Sequence, residues 1–76
     1  MKEVELDGKP CVEIEDVTCI RETDKAILCK IEDEDYDGDD QWIPLSQVHD
    51  NSEVYQNGDE GKLIITKWIA TQKGFI

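Results

Sequence analysis

Apolar residues along the chain fall into short runs separated by polar turns, which is the pattern of a β-rich domain. The clearest run covers residues 12–22. Val12 and Ile14 alternate with polar residues, and Val17 and Cys19 then continue the alternation one residue out of step. A side-chain period of two requires an extra residue at such a point. The sequence therefore predicts a strand with a β-bulge near residues 15 and 16.

The other periodic segments complete a small β fold. Strands are predicted at 3–6, 26–31, 41–43 and 62–66, with turns at 7–10 and 23–25 and a single helical or 3₁₀ turn at 45–48. At the end of the chain the period becomes helical, with Thr66 as an N-cap and Gly74 as the C-terminal left-handed residue of a helix over 67–73. The predicted fold is one mostly β domain over 1–76. It is either a small curled antiparallel sheet or an SH3-like barrel, with four to five strands and a short C-terminal helix.

The charge is strongly unbalanced, with 19 acidic residues against 8 basic ones and a formal net charge of −11. Such a chain repels phosphate backbones and anionic membranes, so neither direct nucleic-acid binding nor membrane binding is expected. A basic partner or a cation is attracted, and acidity can also serve solubility alone. No apolar stretch reaches the length of a membrane span or forms a signal core, which predicts a cytoplasmic protein.

The densest acidic stretch is residues 32–40, where seven of nine side chains are carboxylates. The candidate partner-binding residues are Glu32, Asp33, Glu34, Asp35, Asp37, Asp39 and Asp40. Their charge density imitates that of a nucleic-acid strand, especially if two facing strands carry them. Residues 33–38 also match the opening of a calcium loop, D-x-D-x-D-G, but position twelve is Pro44 instead of glutamate and predicted strands flank the loop. A solvated acidic hairpin tip is therefore favoured over a calcium site.

The sequence offers no constellation for catalysis. Cys11, Cys19 and Cys29 lie within strand patterns and are expected to pack as small reduced hydrophobes. With His49 they could supply four zinc ligands, but they lack the close pairing of structural zinc sites. We expect no metal, no cofactor, no catalytic residue and no enzymatic activity.

Two tryptophans, Trp42 and Trp68, are expected as core anchors in so small a domain. The alternative is an aromatic or small-ligand site on the surface. Its candidate residues are Trp42, Ser46, Gln47, Tyr55 and Trp68.

Three short motifs carry a resemblance to a known family: W-I-P-x-S-Q at 42–47, G-D-E-G at 58–61 and I-T-x-W-I-A at 65–70. Over roughly residues 17–76 the chain resembles small acidic proteins of unassigned function, found largely in bacteriophages and prophages. The resemblance implies a phage accessory protein in the cytoplasm of a bacterial host, and it supplies no catalytic residues. The acidic segment at 32–40 is longer here than the resemblance leads us to expect.

Charge and resemblance together predict a non-enzymatic protein that binds and inhibits a basic nucleic-acid-binding host protein, as an anti-defence factor or nucleic-acid mimic. One alternative is a module that binds a nucleotide signal or another small ligand. Another is an accessory partner of phage replication or recombination proteins. The sequence indicates neither the oligomeric state nor the identity of the partner.

Overall fold

The structure is a computed structural model that describes all 76 residues. Five strands, one 3₁₀ turn and one helix follow in the order β1 (Lys2–Leu6), β2 (Lys9–Glu22), β3 (Ala26–Ile31), β4 (Gln41–Pro44), the 3₁₀ turn (Leu45–Gln47), β5 (Glu60–Thr66) and α1 (Lys67–Gln72). The predicted mostly β fold with a short C-terminal helix is confirmed. None of its helical segments has the length and hydrophobicity needed to cross a bilayer.

The long strand β2 organises the sheet. β1 and β3 pair with successive parts of one edge of β2, β5 pairs with the other edge, and β4 pairs with β3, all antiparallel. The order β1-β2-β3-β4 leaves β1 and β4 unpaired with each other, so the sheet does not close. Of the two predicted architectures, the curled antiparallel sheet is the one observed.

The bulge predicted in β2 is present. The register against β5 shifts between Ile14 and Val17, and Asp16 takes the left-handed conformation with a φ of 54°. The extra residue restores the inward direction of Val17 after Ile14, so both side chains are fully buried. A second shift, between Cys19 and Arg21 against β3, was not predicted.

The core is one cluster of buried side chains, most of which come from the strands. Its fully buried large side chains are Val12, Ile14, Val17, Ile27, Ile43, Val54, Leu63 and Ile65, and α1 adds Ile69 and Ala70. The predicted N-cap is confirmed, because the Thr66 hydroxyl accepts the Ile69 N–H at 3.3 Å. The three cysteines are buried, as predicted for small hydrophobes.

The prediction that both tryptophans are core anchors is wrong. Trp42 is 39% exposed and Trp68 is 61% exposed. In β4 the side chains alternate between faces, and the buried Ile43 takes the inner one. In α1, which has six residues, Ile69 and Ala70 form the buried side and Trp68 lies outside it. The aromatic residues that pack together are instead the buried Phe75 and the partly buried Tyr36, edge to face at 5.2 Å.

Candidate acidic interaction site

The segment of residues 32–40, called the acidic loop below, connects the paired antiparallel strands β3 and β4, and none of its carboxylates lies on either strand. Asp33 turns inward and is only 4% exposed. One carboxylate oxygen accepts the Glu15 N–H at 2.9 Å. The other accepts the Asp35 N–H at 2.8 Å and the α-ammonium of Met1 at 3.2 Å. Asp33 thus fastens the loop to the bulged part of β2.

These contacts determine the charge state of the Asp33 carboxylate and the Met1 ammonium. Burial by itself raises the pKa of Asp33, but hydrogen bonds from the Asp35 and Glu15 N–H groups and from the ammonium outweigh it, and the pKa is lowered. Hydrogen bonding to Asp35 raises the pKa of the Met1 ammonium against the effect of burial, and Asp33 adds to this. The carboxylate and the ammonium therefore remain charged at neutral pH.

The second half of the loop is held by Tyr36. The Tyr36 hydroxyl donates to the Asp39 carbonyl at 2.7 Å and accepts from the Gln41 side-chain amide at 3.1 Å. A Cβ atom at Gly38 would lie 2.6 Å from the Tyr36 hydroxyl oxygen, so a larger residue here would displace the Tyr36 side chain. Because Asp33 and Tyr36 fix both halves, the remaining carboxylates are displayed by a defined loop.

The structure divides the seven predicted partner-binding residues into two groups. Asp33 is buried, and all of its contacts are made inside the chain. The other six are exposed, namely Glu32, Glu34, Asp35, Asp37, Asp39 and Asp40. Among these, Asp35 contacts the Met1 ammonium, and Glu32 lies 3.8 Å from the Lys30 ammonium.

Carboxylates from other strands extend the acidic loop into a larger surface. A groove of about 420 Å³ is lined by Asp16, Thr18, Glu32 and Glu60, among others. A second groove of about 370 Å³ shares Asp16 and Glu32 and adds Glu15 and the start of the acidic loop. We call the exposed carboxylates of these two grooves and the acidic loop the acidic face. Its members are Glu15, Asp16, Glu32, Glu34, Asp35, Asp37, Asp39, Asp40 and Glu60.

Sequence reasoning missed Glu15, Asp16 and Glu60. The predicted bulge could have indicated Glu15 and Asp16, because a bulge changes the direction of the side chains beside it. For Glu60 the signal is its antiparallel pairing with Thr18 in β2, which the sequence does not reveal.

The carboxylates of the acidic loop do not converge on one point. No group of three or more His, Cys, Asp or Glu side chains is arranged to hold a metal ion. The D-x-D-x-D-G segment differs from a calcium loop because Asp33, its first residue, accepts hydrogen bonds from backbone N–H groups.

Comparison of the chain with known proteins gives no function for the acidic face. No family model matches the chain, and neither a curated protein nor a solved structure is similar to it. The resemblance to small acidic phage proteins therefore stays a prediction from the sequence.

The residues of the alternative ligand site are only partly brought together. Ser46 and Gln47 line a depression of about 200 Å³ with Lys9 and His49, whereas Trp42, Tyr55 and Trp68 do not line it. Several polar groups there are already paired. The Gln47 side-chain amide oxygen accepts the Thr66 hydroxyl at 2.6 Å, and His49 Nε2 lies 2.9 Å from the Asp7 carboxylate.

Proposed function

We propose that this chain is a non-enzymatic, phage-encoded interaction protein that binds and inhibits a basic nucleic-acid-binding protein of the bacterial host. The observation that carries the proposal is the acidic face, in which carboxylates from the acidic loop, the β2 bulge and β5 border the same grooves. Its location in the bacterial cytoplasm follows from the phage resemblance and is part of the proposal.

The charge distribution supports a protein partner with basic residues. Complementary charge steers association and raises the on-rate, and a net charge of −11 disfavours phosphate backbones and anionic lipids. The surface with which a protein binds nucleic acid is positively charged, and its charge is therefore opposite to that of the acidic face. When the acidic face is bound to that surface, nucleic acid is excluded from it.

The acidic face imitates nucleic acid in its density of negative charge and not in a regular spacing of the charged groups. The acidic loop is irregular between β3 and β4, and one of its carboxylates is buried. The proposal therefore requires competition with nucleic acid for a basic surface, and it does not require the spacing of phosphates along a strand.

A capture experiment with two charge-matched variants tests the proposal. The first variant combines Asp37→Asn, Asp39→Asn and Asp40→Asn, which have exposed side chains without ion pairs. The control combines Glu5→Gln, Asp24→Asn and Asp50→Asn, which are exposed positions outside the acidic face. Each variant changes the net charge from −11 to −8.

We expect the native chain and the control to capture a basic protein from bacterial lysate at low salt, and the acidic-loop variant to lose it. The captured protein, once purified, should release its nucleic acid when the native chain is added. Capture that persists in high salt, or equal capture by both variants, would refute the electrostatic mechanism. The identity of the captured protein also separates host inhibition from the alternative of an accessory role with phage replication or recombination proteins.

A small-ligand module is the second candidate function, because Ser46 and Gln47 share one depression with Lys9 and His49. A nucleotide present at about 100 times its dissociation constant would stabilise the fold by about 2.7 kcal/mol. Thermal unfolding with a panel of nucleotides tests this candidate. A panel without any shift in the unfolding temperature would eliminate it.

A further inference from the structure

The outer face of the sheet carries an exposed apolar row across three strands. Leu28 in β3 lies directly opposite Trp42 in β4, and on its other side Leu28 faces Arg21 in β2. Ile20, next to Arg21, is the residue at the register shift and has no direct partner in β3. Ile20 is 38% exposed and Trp42 is 39% exposed. Ile20, Leu28 and Trp42 are called the apolar row below.

Strand β4 forms an open edge beside this row. It pairs with β3 alone, and no other strand or bridge lies next to it. The Leu45 N–H donates to the Lys25 carbonyl at 2.8 Å, which makes Lys25 and Leu45 a hydrogen-bonded pair. Hydrogen-bonded and non-bonded pairs alternate along an antiparallel ladder, so Ile27 with Ile43 is bonded and Leu28 with Trp42 is not. The backbone N–H and C=O of Trp42 therefore point outward, away from β3.

The edge of β4 is short, but the backbone groups of Trp42 on it are not covered by a charged side chain of the strand. β4 contains no lysine or other charged residue, and its proline, Pro44, lies at the end of the strand. A large apolar side chain beside free backbone groups is the arrangement to which extended peptides add as a further strand.

The acidic loop lies on the inner side of the same edge. Gln41 faces inward with its partner Cys29, and its side chain contacts Tyr36 of the acidic loop. A strand added to β4 would thus have the apolar row on its outer side and the acidic loop on its inner side. Because successive side chains of a strand alternate between faces, the complementary segment alternates apolar and basic residues.

We propose that the open edge of β4 binds an extended segment of the basic partner, with an apolar side chain on the apolar row and Lys or Arg side chains toward the acidic loop. This inference rests on the proposed function and identifies the part of the partner that the chain recognises. A second copy of the chain is a poor occupant, because it would bring two chains of net charge −11 together beside their acidic loops.

Short blocked peptides test the proposal with defined probes. The first probe is a hexapeptide of alternating lysine and valine, and its charge-matched control alternates lysine and serine. With Trp68→Phe as background, Trp42 is the single tryptophan and reports on burial at the edge through its emission. We expect the lysine–valine peptide to shift the Trp42 emission to the blue and to bind about tenfold more tightly than the control.

Two further measurements locate the peptide. Binding should slow hydrogen exchange of the Trp42 amide, because a main-chain acceptor then covers it. Trp42→Lys should weaken binding about tenfold or more, whereas Trp68→Lys, with the same change in charge at a more exposed tryptophan, should not. The exchange measurement uses the native side chain at position 42 and keeps the test valid if Trp42→Lys fails to fold.

Equal binding of the two peptides, or an unchanged Trp42 amide in the complex, would overturn the proposal. So would sedimentation that shows a dimer dissociated by Trp42→Lys, since a second copy would then occupy the edge. If the lysate protein is captured and depends on the acidic loop but not on Trp42, the proposed function stands and this inference fails. If no basic protein is captured at all, the proposed function itself fails.

Discussion

Replacing the buried carboxylate Asp33 by an amide should destabilise the fold far more than the same change at the exposed Asp37. In Asp33→Asn one carboxylate oxygen becomes an NH₂ group that cannot accept a hydrogen bond. Either the Glu15 N–H loses its acceptor, or the Asp35 N–H loses its acceptor and the Met1 ammonium retains only Asp35. A buried donor left without a partner costs about 1–3 kcal/mol, and the ammonium also loses part of its counter-charge.

We therefore expect Asp33→Asn to lower the free energy of unfolding by about 3 kcal/mol, measured by urea denaturation followed by circular dichroism. Asp37→Asn changes the net charge equally at an exposed side chain and should change stability by less than about 0.5 kcal/mol. Equal effects of the two substitutions would refute the structural role of Asp33.

The difference between native protein and Asp33→Asn should also depend on pH. The folded-state pKa of Asp33 is lowered, so its contribution to stability is complete above the unfolded value of about 4 and is lost as the pH falls through the folded value. The stability difference between the two proteins should shrink in strong acid. A difference that is constant from neutral pH down into strong acid would exclude an ionised Asp33 as its cause.

Three further predictions concern the scaffold. Asp16→Gly should exceed Asp16→Ala in stability by about 1 kcal/mol in urea denaturation, because residue 16 has a φ of 54° and both changes remove the same charge. Equal stability would contradict the left-handed conformation. Burial raises the pKa of the thiols of Cys11, Cys19 and Cys29, the last to about 12, so none should react rapidly with dithionitrobenzoate in the native state and all should react in urea. Fast native labelling of any of them would place that thiol at the surface. Thr66→Val should cost about 1 kcal/mol in thermal or urea unfolding through loss of the helix N-cap, and an unchanged stability would show that the cap contributes nothing.

The strands were predictable because alternation of apolar side chains is a local property of the sequence. The two tryptophans were misassigned because residue type does not decide which face of an element it occupies. In β4 the inner position belongs to Ile43 through its pairing with Ile27, and that pairing is a property of the sheet. In a strand as short as β4, the alternation of side chains does not show which set faces inward until the neighbouring strands are known.

The acidic face was predictable in its main segment but not in its extent. The charge density of residues 32–40 is visible in the sequence, whereas the burial of Asp33 depends on a contact with Glu15, eighteen positions away. The addition of Glu60 depends on the pairing of β5 with β2. Long-range contacts of this kind leave no periodic signal in the chain.

The two explanations of the acidity, solubility and partner binding, make different demands on where the charge lies. Solubility depends on net charge, so neutralising three carboxylates in the acidic loop or three elsewhere would have the same effect. Clustering like charges around two grooves lowers stability through mutual repulsion, and scattered charges would give the same solubility at less cost. The concentration of carboxylates on the acidic face, with only Lys30 and the Met1 ammonium paired to them there, therefore favours a role that depends on position. Asp33 must be left intact when the acidic face is tested, because its replacement removes the contacts that hold the loop and would make loss of binding uninformative.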